Sequence, residues 1–166
     1  MKLSKKLETA LNKQVNMELA AAYQYQAMAA YFESRSLEGL AKWMDAQTSE
    51  EREHSRKFYD YLLKRGGKVT LEALDKPKGT FKTVKEVFEA ALKHEQAVTA
   101  SIEEIHKIAR DSGEYGAKVV LNFFAEEQEE EEETVTKILD KIALLDVDKN
   151  NVALYLFDKE LGSRVE

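Results

Sequence analysis

The 166-residue sequence predicts an all-α fold: a four-helix bundle with one long crossover and a short C-terminal fifth helix. Three observations carry this. Glycine and proline number only 7 and 1, so few positions interrupt a helix. Those interruptions leave four long segments and one short one, each long segment ~40–45 Å if helical. Each long segment repeats its apolar residues alternately four and three apart, the pattern of a helix with one face in a core. Apolar residues make up 43% and charged residues 34%, enough for one core and unlike a disordered chain. A single domain over 1–166 is expected.

The first helix spans about 5–33, with the stripe Leu7, Leu11, Val15, Glu18, Ala22, Tyr25, Ala29 and Phe32. Ser34 to Gly39 breaks it from the second, about 37–65, with Leu40, Met44, Gln47, Glu51, His54, Phe58 and Tyr61. Gly66-Gly67 ends that helix, and the link 66–82 contains Pro77-Lys78-Gly79. Its 17 residues could reach ~56 Å extended, enough to run the length of the bundle. The second and third helices would therefore point the same way, with Val69, Leu71 and Leu74 anchoring the strap. The third helix, about 83–110, opens on a capping-box pair, Thr83 and Glu86. Its stripe is Val84, Phe88, Ala91, Glu95, Val98, Ile102 and Ile105. Asp111-Ser112-Gly113 separates it from the fourth, about 114–145, with Ala117, Leu121, Phe124, Gln128, Glu131, Val135, Ile138 and Ile142. Short links make antiparallel hairpins of helices one and two and of three and four. Asn150 or Asn151 would open the fifth helix, about 151–161.

Composition excludes several classes. With no cysteine there is no disulfide, thiolate metal site, iron–sulfur ligation or cysteine nucleophile. A net charge of −6 argues against nucleic acid or an anionic membrane surface as partner. The basic segment Met1 to Glu8 is followed by no apolar stretch. The longest apolar runs, 27–32 and 152–157, fall far short of the ~20 residues that span a bilayer. A cytoplasmic protein is expected.

Each stripe is interrupted near its middle by a carboxylate: Glu18, Glu51, Glu95 and Glu131. In a bundle of equal helices these midpoints share one level, and His54, three residues after Glu51, joins them. Four carboxylates cannot lie together in a core as free anions. They must hold protons or bind cations. Oxygen ligands with one imidazole suit iron or manganese, and the ligand count exceeds the needs of one ion. The acidic excess is concentrated here, since seven of the eight residues from Glu126 to Glu133 are Glu. Most such runs are solvated faces. Glu129 to Glu133, however, spans more than one helical turn, so one member must face inward, and the stripe selects Glu131. His94 and His106 lie off the stripes and are expected at the surface. Trp43 and Met44 are expected to pack in the core or an interface. Gln47 lies on the stripe without an evident role.

These residues make the sequence similar to the ferritin family, in particular the non-haem bacterial or archaeal ferritins. The resemblance covers nearly the whole chain. It rests on Leu11-Asn12-Lys13-Gln14 leading to Glu18, on Glu50-Glu51-Arg52-Glu53-His54, on Lys93-His94-Glu95-Gln96, on Glu127-Gln128-Glu129-Glu130-Glu131 and on Asp158-Lys159-Glu160-Leu161. It implies a ferritin-like bundle that stores iron and acts as a ferroxidase, oxidising Fe(II) with O2 or peroxide. Glu18, Glu51 and His54 would hold one iron. Glu51, Glu95 and Glu131 would hold a second, with Glu51 bridging and Gln128 beside the pair. Glu50, Glu127 and Glu130, sharing Glu131, match a third, more loosely held iron site. Tyr25, which the stripe alone makes a core tyrosine, matches a family tyrosine that is a candidate electron donor. A homo-oligomeric shell of 24 subunits is implied too. Two alternatives are a di-iron oxidase or peroxidase acting on another substrate, and a non-catalytic iron-buffering shell.

Departures narrow the resemblance. Haem-binding relatives carry a second Glu-x-x-His on helix four, but Glu127 is followed three residues later by Glu130. Their haem-ligating Met is replaced by Arg52, so no haem is expected. Rubrerythrins need cysteines that this chain lacks. Phe123 and Phe124 stand where a helix-four Trp is common, and Trp43 lies on helix two.

Overall fold

The computed structural model of the chain describes residues 3–163. They form α1 (Lys5–Glu33), α2 (Glu38–Lys64), α3 (Val84–Asp111), α4 (Lys118–Leu145) and α5 (Asn151–Ser163). The hairpins α1–α2 and α3–α4 make the bundle, the strap joins them, and α5 packs on α2. Among the described residues, no helix is long and apolar enough to cross a membrane. The expected start of the fourth helix near 114 is displaced. A single 3-10 turn over Tyr115–Ala117 comes first, after Gly113 at a positive φ of 67°.

All expected stripe positions are buried except Tyr61, which is half-buried while its neighbour Leu62 is buried. The interior is not one continuous apolar core. One cluster joins Phe32, Leu40, Met44, Phe88, Ile138 and Phe157. The other joins Leu7, Leu11, Phe58, Ile102, Leu121 and Phe124. The chain changes from one cluster to the other at the level of Glu18, Glu51, Glu95 and Glu131.

The helix N-termini are satisfied largely from a distance. A helix leaves its first backbone N–H groups without internal partners, and a carboxylate there accepts hydrogen bonds and meets the positive end of the dipole. Ser4 caps α1 through its hydroxyl, and Glu114 accepts the Ser4 N–H at 2.9 Å. Leu37 cannot cap α2, so Asp158 on α5 accepts the Leu40 N–H at 2.9 Å. Thr83 caps α3 as expected, while Asp148 accepts from Val84 and Lys85 at 2.7 and 3.1 Å. Glu86 departs from the capping-box pattern and accepts instead from the Lys82 N–H and Lys78. Asn150 caps α5 through Val152 and Ala153. The Asp158 contact requires close approach: a Cβ on Gly39 would lie 1.8 Å from the Asp158 carbonyl oxygen.

The strap is not held as expected. Val69 is half-buried, but Leu71 and Leu74 are exposed. Side chains on α1 hold it instead. The Lys68 N–H donates to Glu8, and Asn12 bonds both the Lys68 carbonyl and the Thr70 N–H. Asn16 repeats this with the Thr70 carbonyl and Glu72 N–H, and Gln24 with both backbone groups of Lys78. Four helical residues rise ~6 Å and two extended residues ~6.6 Å, so from Glu8 to Asn16 a side chain every fourth position meets every second strap residue, while Gln24 holds the strap outside this register.

Replacing Asp158 with Ala leaves the buried Leu40 N–H without its acceptor. We expect a loss of about 1–3 kcal/mol, hence a Tm lower by several degrees in calorimetry. An unchanged Tm would remove this cap from the account.

Candidate metal centre

The four midpoint carboxylates meet where the two apolar clusters part. Glu18, Glu51, Glu95 and Glu131 are all buried, as are His54 and Gln128. The 3.6-residue period aims them inward, since each occupies a position its helix would otherwise give to an apolar side chain.

Each of these side chains is held differently. Glu18 accepts from the Gln14 Nε2 at 2.8 Å through Oε1, while its buried Oε2 meets no N–H or hydroxyl donor, and the Glu51 carboxyl shares a hydrogen bond with Glu18. Glu51 Oε2 lies 3.5 Å from His54 Nδ1, and His54 Nε2 lies 3.5 Å from Glu127 Oε2. Phe124 stands edge-on to the imidazole, with centroids 5.4 Å apart. Glu95 accepts from the Tyr25 hydroxyl at 2.5 Å and from Gln128 Nε2 at 3.2 Å. Tyr25 in turn meets Trp43 edge-on at 6.4 Å, so the tryptophan packs directly behind the site.

A second group lies on its flank. Glu50, His54 and Glu127 each present a ligand atom within 4.8 Å of the others and could share an ion. Gln47 donates to Glu50 at 2.9 Å, a role its place on the stripe did not reveal. Glu130 is exposed and stands outside this trio. The remaining Glu run is divided: Glu129 is exposed, Glu133 pairs with Lys137, and Glu132 accepts from Thr99. His94 and His106 depart from expectation, since both are half-buried and His94 Nε2 is buried without a partner.

Burial and mutual repulsion raise the carboxyl groups of this layer. Burial, then the charge of Glu51, pushes the Glu18 carboxyl up to about 8. Burial, then Glu50 and Glu95, pushes Glu131 up to about 8. Glu51 is raised by burial and by the charges of Glu95 and Glu50, and the Tyr25 phenol by burial and Glu95. Without a cation the site retains protons at neutral pH. A divalent ion held here would replace those protons and give the buried Glu18 Oε2 a ligand. Mostly oxygen ligands, one imidazole and no thiolate fit iron.

These shifts fix a pH dependence for the metal-free protein. A carboxyl raised in the folded state stabilises most below its unfolded value of 4.5, and that contribution is lost as pH climbs through about 8. Guanidinium unfolding should therefore show falling stability between about pH 5 and about pH 8. Glu18→Gln, neutral throughout, should flatten that fall. A slope unchanged by the substitution would contradict the burial of an ionisable Glu18.

Comparison with known proteins agrees with this geometry. A ferritin-like domain model matches residues 8–145. The bacterial non-haem ferritin of Staphylococcus aureus (strain USA300) is 41% identical over 165 residues, covering 98% of this chain and 96% of its own. That of Staphylococcus epidermidis is 40% identical over 162 residues, with the same coverage. An open-pore ferritin of the archaeon Archaeoglobus fulgidus superposes with a TM-score of 0.93 at 36% identity, covering 96% of each chain. With the fold, the carboxylate layer and these relatives in agreement, the chain belongs to the ferritin family.

Proposed function

We propose that the protein stores iron and is a ferroxidase, with Fe(II) as substrate and O2 as oxidant. The observation that carries this is the buried layer of four carboxylates and one imidazole, with a Glu18 oxygen that meets no N–H or hydroxyl donor. Glu18, Glu51 and His54 bind one Fe(II), and Glu51, Glu95 and Glu131 a second, with Glu51 shared. Each Fe(II) gives up one electron, and O2 or peroxide accepts them in pairs. The carboxylates favour the Fe(III) product, because anionic oxygen ligands stabilise the higher charge. Tyr25 is the candidate for an additional electron, since its hydroxyl already touches Glu95. Glu127 faces the second nitrogen of His54 and helps orient the ring, as carboxylates behind metal-bound histidines generally do. Glu50 and Glu127, with Glu130 on the outer side, form the third, looser site that takes product onward.

A groove of about 340 Å³ between α3 and α4 reaches Gln128 from outside, lined by Glu103, His106, Glu129 and Glu132 among others. Its three carboxylates, Glu103, Glu129 and Glu132, would draw a passing cation toward the site. The complete ligand set disfavours a purely buffering shell. The 24-subunit shell comes from the resemblance. The exposed face Val152, Tyr155 and Leu156 of α5 is the kind of apolar patch such an assembly covers. The cytoplasmic location expected from the sequence belongs to the same reading.

Aerobic addition of Fe(II), followed by ferric absorbance, tests this. The protein should oxidise iron far faster than buffer does. Glu51→Ala removes a ligand from both sites and should abolish the fast phase while leaving the assembled species on size exclusion unchanged. Normal oxidation by that variant would refute the site assignment. Elution as a monomer or dimer of the 19.0 kDa chain would refute the storage shell.

A further inference from the structure

Gln14 is fully buried one helical turn before Glu18, in a place where an apolar residue would ordinarily sit. Its Nε2 donates to Glu18 Oε1 at 2.8 Å, and its Oε1 accepts from the Ser101 hydroxyl at 2.5 Å. Ser101 lies on α3, so a chain of hydrogen bonds runs from that helix to α1 and ends on one carboxylate oxygen. The other oxygen, Oε2, is buried and accepts from no N–H or hydroxyl among the described residues, and the one other side chain that shares a hydrogen bond with Glu18 is the Glu51 carboxyl. We propose that Gln14 and Ser101 are positioning residues that reserve Glu18 Oε2 for a divalent metal ion and hold this carboxylate to one-oxygen coordination. The proposal rests on reading the core carboxylates as a metal centre.

The physical basis is competition for lone pairs. A free carboxylate can chelate a metal with both oxygens or bind with one. The Gln14 amide draws on Oε1 and fixes the carboxylate plane. Chelation would break that bond and strand a buried N–H donor. Ser101 matters because an amide can present either end. By donating to Gln14 Oε1, the hydroxyl keeps the nitrogen toward Glu18. In the reversed orientation a carbonyl oxygen would face the carboxylate and repel it. Glu95 is held otherwise, since Tyr25 and Gln128 each donate to one of its oxygens and neither oxygen is set apart from the other.

Anaerobic titration of the assembled, iron-free protein with Co(II) tests this without turnover. The visible d–d bands of Co(II) weaken as its coordination number rises. Gln14→Leu and Ser101→Ala should each weaken the first Co(II) equivalent by about 10–100-fold and weaken its d–d absorption. Ser101→Thr keeps the hydroxyl and should behave as the unmodified protein, a rescue that loss of packing would not produce. Ser101 is only half-buried, so its variants report even if Gln14→Leu folds poorly. Glu18→Ala separates the two levels of the account. If it binds Co(II) as well as the unmodified protein, the metal-centre reading fails and takes this proposal with it. If it loses Co(II) while Gln14→Leu and Ser101→Ala keep the original affinity and spectrum, the positioning proposal alone is overturned.

Discussion

A layer of acid in the middle of the core is the constraint on which the rest of this structure depends. Four carboxylates placed where leucines would serve packing divide the interior into two apolar clusters. Stability must come from those clusters, because the layer opposes folding until protons or cations neutralise it. Each helix therefore has to extend past the layer in both directions. The four bundle helices run 27 to 29 residues, long enough to contribute to the cluster on either side. The scarcity of glycine and proline is the sequence-level counterpart of that demand.

Holding four carboxylates at one height requires the helices to keep their register. Carboxylates from remote segments serve this purpose: Glu114 at the start of α1, Asp158 at the start of α2 and Asp148 at the start of α3. Each ties a helix end to a different part of the chain, so a shift along the axis would break a buried or half-buried bond. Asn12, Asn16 and Gln24 fasten the strap to α1 and thereby fix how the second hairpin sits on the first. Within the layer, Gln14, Tyr25 and Gln128 set the orientation of individual carboxylates. The same logic acts at three lengths: the helix, the hairpin and the side chain.

Periodicity made most of the fold legible in the sequence, because a helix declares its buried face through residues on itself. The stripes, the carboxylate level and the helix bounds, apart from the start of α4, follow from local pattern alone. What was not legible depends on partners distant in sequence. Nothing local says that Asp158 caps α2 or that Ser101 reaches Gln14, 87 positions away. Leu71 and Leu74 looked like anchors because they are apolar, yet polar side chains at four-residue spacing hold the strap by its backbone. His94 and His106 lie off the stripes, but the strap and the α3–α4 groove half-bury them. Gln47 was visible as a stripe residue, while its partner Glu50 was identified only from the resemblance.

In the reading proposed above, the buried acid layer exists to bind two metal ions. Anomalous diffraction from crystals of the iron-free protein equilibrated anaerobically with Mn(II) tests it directly. Two anomalous peaks should appear inside each bundle, one among Glu18, Glu51 and His54 and the other among Glu51, Glu95 and Glu131. Metal confined to surface carboxylates such as Glu129 and Glu133, with the core layer empty, would contradict the account.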